Sequence, residues 1–139
     1  MMTADAPSSR PSAAPDATWS SDQQWLSLSA DGIQLQLDLA DDLLKLAHFG
    51  RIAPINPAQH RLMSAAATPQ ASLDQLPPNT LFNDAGLGFA GYPALIGDRE
   101  GRDWLTAMRL SDVACSTDAT GAHARLTLRD SLSELEVLI

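Results

Sequence analysis

A chain of 139 residues with 45% hydrophobic content can bury one core, but only 5% of it is aromatic, so leucine, alanine, isoleucine and valine must fill that core. With 17 acidic against 9 basic residues the net charge is −8, which excludes the basic surface that nucleic acid or an anionic membrane requires. The lone Cys115 excludes an internal disulfide and fits a reducing compartment. No apolar run approaches the roughly 18 residues of a membrane helix. The first 24 residues lack the apolar segment of a secretion signal, so a cytoplasmic protein is expected.

Residues 1–22 are rich in alanine, serine, proline and aspartate, with almost no large apolar side chain before Trp19. Such a segment cannot bury enough surface to offset its ordering entropy, and a disordered tail is expected. Residues 23–139 form the expected ordered domain. Leu26, Leu28 and Ala30 alternate with serines, Asp31-Gly32 has the chemistry of a two-residue hairpin turn, and Ile33, Leu35, Leu37 and Leu39 alternate with polar residues. This is a strand–turn–strand unit. Leu43 to Phe49 satisfies both periods: Leu39, Leu43 and Leu46 fit a helical stripe, whereas Leu44, Leu46 and His48 alternate as in a strand. Residues 52–80 contain Pro54, Pro57, Pro69, Pro77 and Pro78, which break both helices and ladders, so a surface connection with short pieces is expected. It is too long for an idle loop, which points to function or partner contact.

Five of the eight glycines fall between Gly86 and Gly101. Gly86, Gly88 and Gly91 suggest a tightly turned loop. Pro93 forces Tyr92 into extended geometry with its ring projecting. A charged turn follows at Gly97-Asp-Arg-Glu-Gly101, and a long strand is expected from Arg102-Asp103-Trp104 to Cys115. Ala122, Ala124, Leu126 and Leu128 alternate with His123, Arg125, Thr127 and Arg129 as a second clean strand. Leu135, Val137 and Ile139 read as a further strand, with a short helix as the alternative because Ser131 and Glu134 have capping-box spacing. The fold class these elements imply is mainly β, an antiparallel β-sandwich. A natural domain seldom ends in an apolar strand, which leaves an aggregation-prone edge, so the sandwich is expected to be truncated at its carboxyl end.

The order Leu-Pro-Pro, then Gly-Leu-Gly-Phe-Ala-Gly-Tyr-Pro-Ala-Leu, then Gly-Arg-Asp-Trp, with Leu46-Ala-His-Phe-Gly50 upstream, resembles the amino-terminal supersandwich-like domain of family 36 glycoside hydrolases, the bacterial α-galactosidases. The resemblance spans about Trp25 to Ile139 and carries no catalytic signature. It favours a strand over Leu43–Phe49. It implies a parent enzyme that removes terminal α-linked galactose from oligosaccharides with retention, using two carboxylates on a barrel that follows the sandwich. It implies as partners that catalytic barrel, a galactosyl oligosaccharide and further copies in a homo-oligomer, and no cofactor. In the best-known branch an Asp and an Arg in the glycine loop contact sugar across subunits. Phe89, Ala90 and Gly91 stand there instead, so neither role carries over, and only the glycines and Pro93-Ala94-Leu95 match.

No catalytic pair is marked among the 17 carboxylates, since Asp41-Asp42, Asp98/Glu100 and Asp130 lie at turns where aspartate bonds locally. His48, His60 and His123 have no metal-ligand spacing, and Cys115 has no partner, so no metal site is expected. Gly86-x-Gly88-x-x-Gly91 has the spacing of a dinucleotide fingerprint but precedes a proline and a strand, not a helix. The candidate contact residues are His48, at a strand end and ordinarily structural, and Phe89 and Tyr92, whose rings could stack on a sugar. Trp25 and Trp104 are expected in the core. The chain alone is expected to hydrolyse no α-galactoside and to respond little to free galactose.

Overall fold

A computed structural model describes residues 14–64, 79–84, 86, 92–102 and 105–139. The chain is mainly β, with two antiparallel sheets among the described residues. The first contains β1 (Asp16–Ser20), β2 (Trp25–Ala30), β3 (Ile33–Asp38) and β4 (Lys45–Arg51) in sequential order. The second contains β5 (Arg109–Asp118), β6 (Gly121–Asp130) and β7 (Leu135–Leu138), also in order. One helix, α1 (Pro57–Ser64), follows β4.

The β2–β3 hairpin forms as its sequence dictates. Asp31 and Gly32 both take left-handed φ, 51° and 78°, and Ala30 pairs with Ile33 across the two-residue turn. Leu26 then lies opposite Leu37, so every second side chain points to one face. Leu26, Leu37, Leu39, Leu44, Met108, Leu126 and Leu128 form the buried cluster. Each fully buried leucine contributes roughly 2 kcal/mol of transfer free energy. Because β1 and β2 lie against β5 and β6, these side chains meet between the sheets as a two-layer core.

β4 is a strand, and its irregularity explains the double periodicity. Leu37 pairs with Leu46 but Gln36 pairs with His48, so a bulge at Ala47 sends Leu46 inward and His48 to the outer face. The outer edge of β4 is partly covered, because Lys45 bridges Thr80 and Leu46 N donates to Asn79 O at 2.7 Å.

Two expectations need correction. The tail expected through residue 22 includes β1, which pairs along its whole length with β2 and places Trp19 opposite Leu26, against the core. One large inward side chain suffices to anchor a short edge strand; residues 1–13 lie outside the described residues. The strand expected from Arg102 begins only at Arg109, because Thr106, Ala107 and Met108 give their donors to buried side-chain carboxylates and not to a neighbouring ladder. The strand expected from Leu135 is present as β7, and its helical alternative is not: Glu134 has φ 53°, which closes a turn into that strand.

The connection after β4 is tied to the sheet's outer face. Arg61 of α1 reaches the buried Asp38 with Nε at 2.9 Å from Oδ2 and Nη2 at 2.6 Å from Oδ1, and also donates to Gln23 O at 2.6 Å. His60 meets Trp25 edge-on at a centroid distance of 5.6 Å. Since α1 buries none of its residues, these contacts are what fasten it. Arg61→Ala is therefore expected to raise amide exchange within α1 at least tenfold while leaving β2 and β3 protected, as measured by hydrogen exchange.

Candidate functional site

The described parts of the arm from Asn83 to Arg102 (residues 83, 84, 86 and 92–102) begin beside the residues that precede β5. One buried carboxylate anchors that beginning. Asp84, 3% exposed, accepts the Thr106 hydroxyl at 2.6 Å, the Gly86 amide at 3.3 Å and the Met108 amide. Gly86 also donates its amide to Thr106 O at 2.8 Å. A Cβ at Gly86 would sit 2.5 Å from that same carbonyl, so glycine is required here for close approach of two backbones. The arm turns outward at Tyr92, whose carbonyl accepts from Asn83 Nδ2 at 3.1 Å, while Ala94 N donates to Asn83 O at 2.7 Å. It returns through a tight turn in which Glu100 and Gly101 have φ of 55° and 76°, Arg99 and Arg102 exchange backbone hydrogen bonds, and Asp98 Oδ1 accepts Gly101 N at 2.6 Å.

A second buried carboxylate fixes the facing wall. Asp130 accepts the Ser133 hydroxyl at 2.7 Å, Leu132 N at 3.0 Å and Ala107 N at 3.4 Å. Burial pushes its pKa up, but these donors outweigh burial and hold the carboxyl below its ordinary value. Between the two anchors lies a half-open cavity of about 210 Å³. Leu95, Gly97, Asp98 and Arg99 line one side of it, and Thr106, Ser133 and Leu135 the other.

Of the sequence-derived candidates, His48 and Tyr92 fall among the described residues. Tyr92 projects, 91% exposed, on the arm. His48 lies on the outer face of the first sheet and its Nε2 is 2.9 Å from the Arg51 carbonyl, a local bond that orients the ring beside Gly50. Phe89, Gly88, Gly91 and Trp104 lie outside the described residues. Trp25 is buried, as expected, but on the outer face of the first sheet beside His60 and not in the cluster between the sheets. His60 is taken up by Trp25, and His123 by Asp118 at 3.1 Å. Among the described residues no group of three His, Cys, Asp or Glu is placed to hold a metal ion. The anchors Asp84 and Asp130 did not stand out in the sequence. Asp130 was legible as a turn aspartate, but its reach to Ala107 spans two elements.

The buried carboxylates give the fold a defined acid response. Asp38 is desolvated, which raises its pKa, yet the Arg61 hydrogen bonds, the Ala40 amide and the Arg61 charge lower it further, so its folded value falls below 3.8. Asp130 is shifted in the same direction. Groups with depressed folded pKa values stabilise the fold above the unfolded value, and that stability is lost as pH falls through the folded value. The urea midpoint is expected to stay flat from pH 7 to about 5 and to fall below about pH 4. A midpoint that rises on acidification contradicts this assignment.

No family model, no curated protein and no solved structure matches the chain. Among the described residues no helix is long and apolar enough to cross a membrane.

Proposed function

We propose that this chain is a non-catalytic accessory β-sandwich that docks on a catalytic domain, and specifically the amino-terminal domain of a cytoplasmic family-36-like α-galactosidase. The observation that carries the docking reading is the arm itself. Tyr92 and Ile96 are 91% and 74% exposed although the backbone beneath them is tied down at Asn83 and Asp84. Apolar side chains left open to water on hydrogen-bonded backbone form a surface for a partner. The identity of that partner rests on the sequence resemblance: a barrel carrying two carboxylates that hydrolyse terminal α-D-galactosyl residues of oligosaccharides, with this domain shaping its pocket and its oligomer contacts. The alternative is a free-standing carbohydrate- or protein-binding sandwich, which the half-open cavity favours.

The coding sequence downstream of Ile139 discriminates between them. Barrel strands bearing two carboxylates support the accessory-domain reading, and their absence removes it. Within the complete enzyme, Tyr92→Ala is expected to raise KM for a galactosyl oligosaccharide several-fold. The sandwich itself should keep its stability to within about 0.5 kcal/mol, because Tyr92 is 91% exposed. An unchanged KM rejects the corner as a contact.

A further inference from the structure

β7 is shorter than the strand it pairs with. It follows β6 only from Leu126 to Asp130, and among the described residues nothing pairs with that side of β6 over residues 121–125. Leu126 exchanges both backbone hydrogen bonds with Ile139, so by the alternation of an antiparallel ladder Ala124 and Ala122 turn their N–H and C=O groups to the same side. The apolar face below this edge is open as well. The second sheet lies against β1 and β2, and three strands facing four leave the β4 side uncovered. β5 starts beside residues 40–42, so the turn into β6 lies at the opposite end, with the β2–β3 turn. At that end Ile33 and Phe49 are 45% and 72% exposed, although they share the inward face of Leu35 and Leu37. Charge adds a third observation. On the outer side of β6, Arg129 meets Glu136 opposite it on β7, with Nε 2.7 Å from Oε2. Arg125 lies on that same side of β6, is exposed, and among the described residues is in no ion pair.

We propose that the 121–125 edge of β6 takes an extended segment of a polypeptide partner as an added strand, with apolar side chains on Ile33 and Phe49 and an acidic side chain between them opposite Arg125. Only a polypeptide backbone meets the N–H and C=O groups of Ala122 and Ala124 in register while its alternate side chains fill an apolar face. The acidic position repeats what Glu136 does for Arg129. In a second copy of this chain the matching run, Leu135-Glu136-Val137, is already engaged on its own β6. The edge stands apart from the arm, and it holds whether or not the partner is a galactosidase barrel. A segment of about five residues covers it, and so short a strand offered as a free peptide binds with Kd on the order of millimolar.

The test is a titration of the ¹⁵N-labelled chain with the blocked peptide Thr-Val-Glu-Val-Thr. Its Glu→Lys counterpart and a version N-methylated at alternate residues serve as controls. Saturable shifts at the amides of Ala122 and Ala124 are expected with the Glu peptide. The Lys peptide should bind at least threefold more weakly and the N-methylated one at least tenfold more weakly, because it cannot donate to the edge. Arg125→Glu should reverse the order of the Glu and Lys peptides, and Phe49→Ser should weaken both at least threefold. Both side chains are exposed, so the variants fold. The proposal is overturned if the Ala122 and Ala124 amides show no saturable shift, if the N-methylated peptide binds as tightly, or if Arg125→Glu leaves the peptide order unchanged. It is also overturned if these two amides shift with protein concentration alone, which would place a second copy on the edge.

Discussion

Asp84→Ala is expected to cost about 4 kcal/mol of stability, a large share of the 5–15 kcal/mol typical of a domain. The carboxylate is buried and satisfies three donors on two segments: Thr106 Oγ1 and the Met108 amide before β5, and the Gly86 amide on the arm. Removing it leaves the Thr106 and Met108 donors buried and unpaired, at about 1–3 kcal/mol each, and frees the arm that carries Tyr92. Asp84→Asn keeps acceptor oxygen but turns an amide NH₂ toward a donor, so an intermediate loss is expected. Urea unfolding measures both. A loss under 1 kcal/mol for the alanine variant shows that water replaces the carboxylate and that the arm is not anchored there. Gly86→Ala probes the same junction from the other side, since its Cβ would lie 2.5 Å from the Thr106 carbonyl. Overpacking of this kind costs about 1–3 kcal/mol.

Leu39→Ala is expected to be comparably damaging through a different physical route. Leu39 is 0% exposed and sits in the cluster with Leu37, Leu44 and Met108, where the two sheets meet. Truncation loses the transfer free energy of the removed methylenes and leaves a cavity that the β2–β3 hairpin cannot collapse into without shifting its register. The expected loss is about 2–5 kcal/mol. The backbone of Leu39 also matters, because its amide donates to Gln24 O at 2.9 Å and closes the sheet end beside Trp25. Leu39→Met keeps the volume and should cost less than about 1.5 kcal/mol. Equal losses for the two variants would contradict a cost set by the volume of the side chain.

What could be read from the sequence follows from what is local. Asp31-Gly32 between two alternating runs encodes a hairpin within a dozen residues, and it formed in the expected register. The same holds for Gly121–Asp130, whose inward residues Leu126 and Leu128 are buried. Lys45–Arg51 was readable both ways because a bulge at Ala47 breaks the period of two. β1 was hidden because its partner strand, not its composition, orders it. The anchors of the arm were least legible. Asp84 and Thr106 are separated by 22 residues, as Asp130 and Ala107 are by 23, and no periodicity links a turn aspartate to a distant donor. Tyr92 was expected to project beside Pro93 and does so, since the proline restricts the residue before it.

A sandwich that serves a catalytic domain of α-galactosidase type, as proposed, belongs to an enzyme whose stereochemistry can be read directly. The most direct measurement is to incubate the product of the complete reading frame with an aryl α-galactoside and follow the anomeric protons by NMR. Release of galactose as the α-anomer, before mutarotation, is the predicted result for a retaining enzyme. Absence of hydrolysis, or first release of the β-anomer, contradicts it.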